Sequence, residues 1–191
     1  MSSHFLVLAL PRSRTAWLSV LLSWHEGVHC EHDPSRSTSG PEDAVRAILA
    51  RPERVSGATD TALALWWPTL RALTEDWRMA VIWRSPAESF RATVEAFKIP
   101  REGHAALLLV TERVARGLEL LIRDRRPLVM AAEDVTTEDG ATLLLGHLAP
   151  EIPINAEWLR RCLGLRIAVD PARYLASSSL ESAAHLAAAV G

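Results

Sequence analysis

The residues Pro11-Arg12-Ser13-Arg14-Thr15 place two guanidinium groups and two hydroxyls within one turn of chain. They follow the apolar run Phe5–Leu10 and precede an apolar segment of helix length, Thr15–Trp24. A strand that turns tightly into a helix presents several unpaired backbone N–H groups at one point, where the helix dipole is positive. Arg12, Ser13 and Thr15 add charge-assisted and hydroxyl donors, so the junction reads as an oxyanion site, phosphate first among the candidates. It lacks the GxxxxGK[ST] pattern: no lysine is present here, and no Lys-Ser/Thr pair to hold a magnesium-bound triphosphate.

Such a site needs strands and helices to build it, and the chain supplies them in alternation. Strand-length apolar runs occur at Phe5–Leu10, Val28–Glu31, Arg54–Ala58, Met79–Trp83 and Leu128–Ala132. Helices are expected at Thr15–Trp24, Pro41–Ala50, Thr61–Thr74, Pro86–Phe97, Arg101–Arg123 and Thr137–Leu148. Pro41-Glu42-Asp43 gives one of these helices a proline and acids in its first turn, and Asp134 to Thr137 offers hydroxyl and carboxylate caps to another. Buried strands alternating with helices predict an α/β fold of three layers, a central parallel sheet flanked by helices. The Ser-, Pro- and Gly-rich stretch from His32 to Asp43 reads as a surface loop, where ligands of such sheets are met. The tail "SSSLESAAHLAAAVG" reads as a short Ala-rich helix after a serine cap, which admits either a homodimer contact or closure of the core.

Composition narrows the functional classes. With 191 residues, 49% of them hydrophobic, the chain can bury the core of one ordinary domain, taken as residues 1–191. A net charge of −2 gives no global field for nucleic acid, so an anion must be met locally. Cys30 and Cys162 stand alone, without metal-ligand spacing, which argues against a disulfide framework and a zinc site and fits a reducing cytoplasm. "FLVLAL" is too short for a membrane span and lacks the flanks of a signal peptide. A soluble, cytoplasmic protein without a metal is the expectation.

The stretch "LPRSRTAW", Leu10 to Trp17, resembles the 5′-phosphosulfate loop of the sulfotransferases, whose donor is 3′-phosphoadenosine 5′-phosphosulfate (PAPS). Pro11, Arg12, Ser13, Thr15 and Trp17 match. Arg14 stands where the family generally has glycine, and Ala16 where it often has a second hydroxyl. "DWRMAVIWRSPAESFRATVEAF", Asp76 to Phe97, resembles the family's 3′-phosphate region, with Arg84 and Pro86 matching. The usual serine falls on Ala92, and Ser89 or Thr93 is the available replacement. "RPLVMAAEDV", Arg126 to Val135, looks like the family's buried strand closing in a Glu-Asp pair. The C-terminal basic loop of the family has its nearest counterpart at Arg173.

The resemblance implies a P-loop-like fold, PAPS as donor and a small hydroxyl- or amine-bearing acceptor. It implies that Arg12, Ser13, Arg14, Thr15, Ala16 and Trp17 surround the 5′-phosphosulfate, with Arg84 and Ser89 on the 3′-phosphate side. Sulfuryl transfer in line asks the protein to position the partners and to neutralise the leaving phosphate, and Arg12 is the residue expected to do the latter. An acceptor hydroxyl also needs a base at a strand end. His32 with Glu31 is preferred, in the sequence "HCEHD"; Asp60 is the second choice and could instead cap the helix beginning at Thr61. The Trp66-Trp67 pair reads as core, and Trp17 as packing the first helix onto the sheet. Rival readings are a P-loop small-molecule or nucleotide kinase and a non-catalytic anion-binding protein of the same fold. The acceptor's identity is not written in the sequence, because loops of unspecific composition would build its pocket.

Overall fold

The computed structural model describes residues 3–23 and 26–166. Five strands, β1 (Ser3–Ala9), β2 (Val28–His32), β3 (Val55–Asp60), β4 (Arg78–Trp83) and β5 (Leu128–Ala131), form one sheet in the order β2-β3-β1-β4-β5. Every pairing is parallel, with Phe5 opposite Gly57 and Leu8 opposite both Asp60 and Val81. The predicted three-layer α/β architecture is the observed one.

β1 lies at the centre because both of its faces are apolar. Phe5, Val7 and Ala9 point to one side and Leu6, Leu8 and Leu10 to the other, all at 0–1% exposure. On the first side they pack with α1 (Thr15–Leu22), α6 (Glu138–Leu148) and α7 (Ala156–Leu163) through Leu18, Leu21, Leu144, Leu148 and Leu159. On the second they meet α2 (Pro41–Leu49), α3 (Trp67–Leu73) and α5 (His104–Arg125) through Val45, Ile48, Leu70 and Leu118. Each buried leucine of this kind stabilises the fold by about 1.5–3 kcal/mol, which is what fixes the register of the central strand. α4 (Pro86–Phe97) lies against α5.

Four elements depart from the sequence reading. β3 starts at Val55 and runs on past Ala58 through Thr59, so Asp60, expected at a strand end, is the last residue of the strand itself. The segment Thr61–Thr74 is divided: a 3₁₀ turn over Ala62–Trp66 precedes α3, with Pro68 in the first turn of α3, where its missing N–H costs no helical bond. A similar turn at Arg101–Gly103 precedes α5. α7 has no counterpart in the predicted elements; its N-cap Asn155 accepts from Glu157 N and Trp158 N. Thr137 caps α6 as expected, accepting from Gly140 N at 3.0 Å. Trp24, Arg173 and the Ala-rich tail lie outside the described residues.

Trp67 is core, 1% exposed, and its Nε1 donates to Asp124 Oδ2 at 3.0 Å. Gly117 of α5 crosses so close to the turn after β3 that a Cβ there would stand 2.0 Å from the Ala64 carbonyl oxygen. That crossing holds the chain just beyond Asp60. Among the described residues no helix is long and apolar enough to cross a membrane.

Candidate functional site

The C-terminal ends of β1, β2, β3 and β4 open onto a cleft of about 630 Å³, lined by Arg12, Arg14, Thr15, His32, Asp33 and Arg84 among others. This is where an open parallel sheet generally meets its ligand, at the point where strand order reverses on either side of β1.

The turn between β1 and α1 is closed by Ser13 N donating to Leu10 O at 3.2 Å. Arg12 (φ 65°) and Arg14 (φ 66°, ψ 23°) both adopt the left-handed backbone conformation, which costs a non-glycine residue on the order of 1–2 kcal/mol. The turn is paid for by its surroundings: Ser89 Oγ donates to Pro11 O at 2.7 Å, Arg84 Nη1 to Arg12 O at 3.0 Å, and Thr59 Oγ1 to Thr15 O at 3.0 Å. Residues from α4, from just beyond β4 and from β3 thus each fix one carbonyl of the turn. Position 14 is therefore a place for glycine on conformational grounds as well as for close approach, and this chain puts a cation there.

Ser13 is wholly buried, and its Oγ has no hydrogen-bond partner among the described residues. Arg84 Nε is in the same condition; the Glu88 carboxylate at 4.0 Å is beyond hydrogen-bond reach. Unspent donors beside two exposed arginines suit an anion with several oxygens. Arg14 serves as N-cap of α1, and among the described residues no side chain caps that end, so the first-turn N–H groups of α1 remain as a further anion-facing feature. No group of three or more His, Cys, Asp or Glu residues that could hold a metal occurs among the described residues.

The remaining residues singled out in the sequence fall in different places. Thr15, Ala16 and Trp17 line the cleft, and Trp17 also anchors α7, its Nε1 donating to Cys162 O at 2.9 Å. Ser89 is fully buried and gives its proton to the Pro11 carbonyl, so it braces the turn. Ala92 and Thr93 line the cleft, the Thr93 hydroxyl donating to Ser89 O at 2.7 Å.

His32 sits at the cleft, with Nε2 3.3 Å from Thr15 Oγ1. Burial pushes its pKa down; Asp60 pulls it up and Arg36 lowers it further. Glu31, one residue earlier, takes the opposite face of β2 and pairs with Arg51 at 3.5 Å, so the structure does not bring it to His32. Asp60 is wholly buried beneath the cleft: Oδ2 accepts from Ser35 N at 3.0 Å and Oδ1 from Leu63 N at 2.8 Å. It caps the turn after β3, as the alternative reading had it. Desolvation, then the nearby charge of Asp33, push its carboxyl up to about 7.

Two contributions were missed. Asp33, in the quoted stretch but not chosen, is the carboxylate that faces His32, at 3.4 Å from Nε2. Arg166, with Leu165, brings the chain after α7 to the cleft. Its signal was available as a cation two residues beyond Gly164, but α7, which delivers it, was not recognised.

No protein-family model matches this chain, and neither does any curated protein. Among solved structures, mouse sulfotransferase SULT7A1 complexed with PAP is similar in fold, at 14% sequence identity and a TM-score of 0.58, over 84% of this chain and 64% of that one. The present chain therefore spans less than two thirds of that protein's length. The five-stranded parallel sheet with its flanking helices is a sulfotransferase-like α/β fold.

Proposed function

We propose that this protein is a sulfotransferase that moves the sulfuryl group of PAPS to a hydroxyl or amine of a small acceptor. The observation that carries the reading is the turn Pro11–Trp17, two cations and a buried unpartnered serine hydroxyl in a braced left-handed turn, set at the strand ends of a sulfotransferase-like fold. Arg84, whose guanidinium bonds the turn at Arg12 O, supplies a second positive centre for a second phosphate.

In this reading Ser13, Thr15 and the first N–H groups of α1 hold the 5′-phosphate, and Arg84 the 3′-phosphate. Trp17 and Arg166 border the nucleotide, and Ser89 braces the turn from behind. Arg12 neutralises the charge that develops on the leaving phosphate as the sulfur–oxygen bond to it breaks. Arg14 faces the same cleft and meets the sulfuryl oxygens. His32 or Asp60 takes the acceptor's proton, His32 being the one that reaches the cleft. The scheme asks for no metal, since positioning and fixed cations supply the stabilisation.

The test is thermal unfolding with 3′-phosphoadenosine 5′-phosphate (PAP), beside magnesium-ATP and AMP. A ligand at about 100 times its dissociation constant adds about 2.7 kcal/mol, a rise of several degrees for a domain of this size. Stabilisation by the bisphosphate alone is the expected result. Stabilisation by magnesium-ATP alone would transfer the assignment to a kinase, and silence from all three would refute the nucleotide site.

A further inference from the structure

One nitrogen of His32 makes both of the ring's close polar contacts. Nε2 lies 3.3 Å from Thr15 Oγ1 and 3.4 Å from Asp33 Oδ2. An ionised carboxylate only accepts, so in the neutral ring the nitrogen facing Asp33 is the one that bears the proton, and the lone pair then lies on Nδ1. Thr15 distinguishes the two tautomers as well. Were Nε2 the basic nitrogen, the Thr15 hydroxyl would give its hydrogen to the ring and lose it for an anion in the turn. With Nε2 protonated, that hydrogen stays available.

Asp33 is built to stay where it is. Its backbone is left-handed (φ 49°, ψ 54°), its side chain is 4% exposed, its N–H donates to Thr59 O at 2.8 Å, and its carbonyl accepts from Arg36 N at 3.0 Å. Behind it, Asp60 is fixed by Ser35 N and Leu63 N. Two carboxyls in one buried site do not both ionise readily, and Asp60, the more deeply buried, has the raised affinity for a proton that leaves Asp33 to carry the charge.

We propose that Asp33 is the positioning residue of the site: it holds His32 in the Nε2–H tautomer and thereby makes Nδ1 the base. Resting on the sulfotransferase reading, the step balances as follows. The acceptor's O–H proton passes to Nδ1, the acceptor oxygen forms the new bond to sulfur, and the bond from sulfur to the bridging oxygen breaks with its electron pair going to the 5′-phosphate. The imidazolium formed is stabilised by Asp33 through Nε2–H. The other charged groups around the ring are Asp60 at the end of β3, Arg36 in the turn after Asp33, and Arg12 and Arg14 across the cleft.

The experiment is long-range ¹H–¹⁵N correlation NMR on protein with ¹⁵N-labelled histidine, the His32 signals being assigned with His32→Gln. It needs neither donor nor acceptor, so it reports on Asp33 whether or not PAP binds; PAP binding is scored separately by the thermal shift. The expected spectrum shows Nε2 protonated and Nδ1 unprotonated above the titration of His32. In Asp33→Asn, a substitution the left-handed backbone tolerates, the preference for Nε2–H should disappear and the titration should move down by about one pH unit. Asp33→Glu should restore part of both. An Nδ1–H tautomer in the unsubstituted protein overturns the proposal without need of any variant, and so does an unchanged His32 spectrum in Asp33→Asn.

Discussion

Replacing Asp60 by asparagine should change the pH dependence of stability as well as its size. The carboxyl is at 0% exposure, and desolvation followed by the charge of Asp33 raises it from the ordinary 3.8 to about 7. A carboxyl whose pKa is raised on folding binds its proton more tightly in the folded state. Its contribution to stability is therefore greatest below the unfolded value, falls as pH rises through the interval from 3.8 to about 7, and is constant above it. The rise corresponds to a loss of about 4 kcal/mol across that interval. Asparagine does not titrate, but it offers one carbonyl to the two N–H groups of Ser35 and Leu63 and turns its amide against the other, a pH-independent cost of about 1–3 kcal/mol. His4 and His32 act in the opposite sense in the same range: burial lowers both, so their contribution is present above the ordinary 6.5 and fades as pH falls. Subtracting the variant's curve from that of the unsubstituted protein removes His4; His32, which Asp60 pulls up, stays in the difference and adds to the gap in acid. Urea unfolding from about pH 4 to about pH 8 should show the unsubstituted protein ahead by about 1–3 kcal/mol in acid, with the gap reversing towards neutrality. A gap that is the same at every pH would refute the argument that Asp60 is protonated on folding.

Three further substitutions probe the cleft. Arg84→Gln should weaken PAP by about 10- to 100-fold in calorimetry and leave AMP nearly unaffected, the loss of one charge-assisted contact being worth about 1.5–3 kcal/mol; equal losses for both ligands would show that Arg84 acts only through the Arg12 carbonyl. Arg14→Gly should relieve a left-handed residue and raise stability by up to about 1 kcal/mol in urea unfolding, while lowering turnover if the guanidinium meets the sulfuryl oxygens. Trp17→Phe removes one of the two donors to the Cys162 carbonyl, Leu165 N at 3.0 Å remaining, and should cost about 0.5–1.5 kcal/mol, with weaker PAP binding as α7 and the segment to Arg166 loosen.

The layers of this fold were legible because each rests on a local pattern. Phe5–Leu10 is apolar at every position, which only a strand covered on both faces requires, and the helix entries at Pro41, Pro86 and Thr137 are marked by residues that act within one turn. The turn after β1 was legible for the same reason: Arg12, Ser13 and Thr15 are neighbours in the chain, and a helix start offers free N–H groups wherever it occurs. α7 escaped because Asn155 and Gly164 bound only eight residues between them, too little periodicity to stand out.

The arrangement of Glu31, His32, Asp33 and Asp60 was decided by contacts the chain order does not reveal. The sequence reading preferred His32 with Glu31, though chain order does not separate Glu31 from Asp33 as the carboxylate beside the ring. The alternation of β2 sends Glu31 to Arg51 on one face and His32 to Thr15 on the other, and the left-handed turn at Asp33 brings its carboxylate back to the ring. Asp60 became a buried carboxyl with a raised pKa because β3 extends to it and the crossing at Gly117 closes the chain over it. The chain's order of residue types set which groups were present; desolvation and distance, properties of the packed molecule alone, decided which carboxylate faces the histidine.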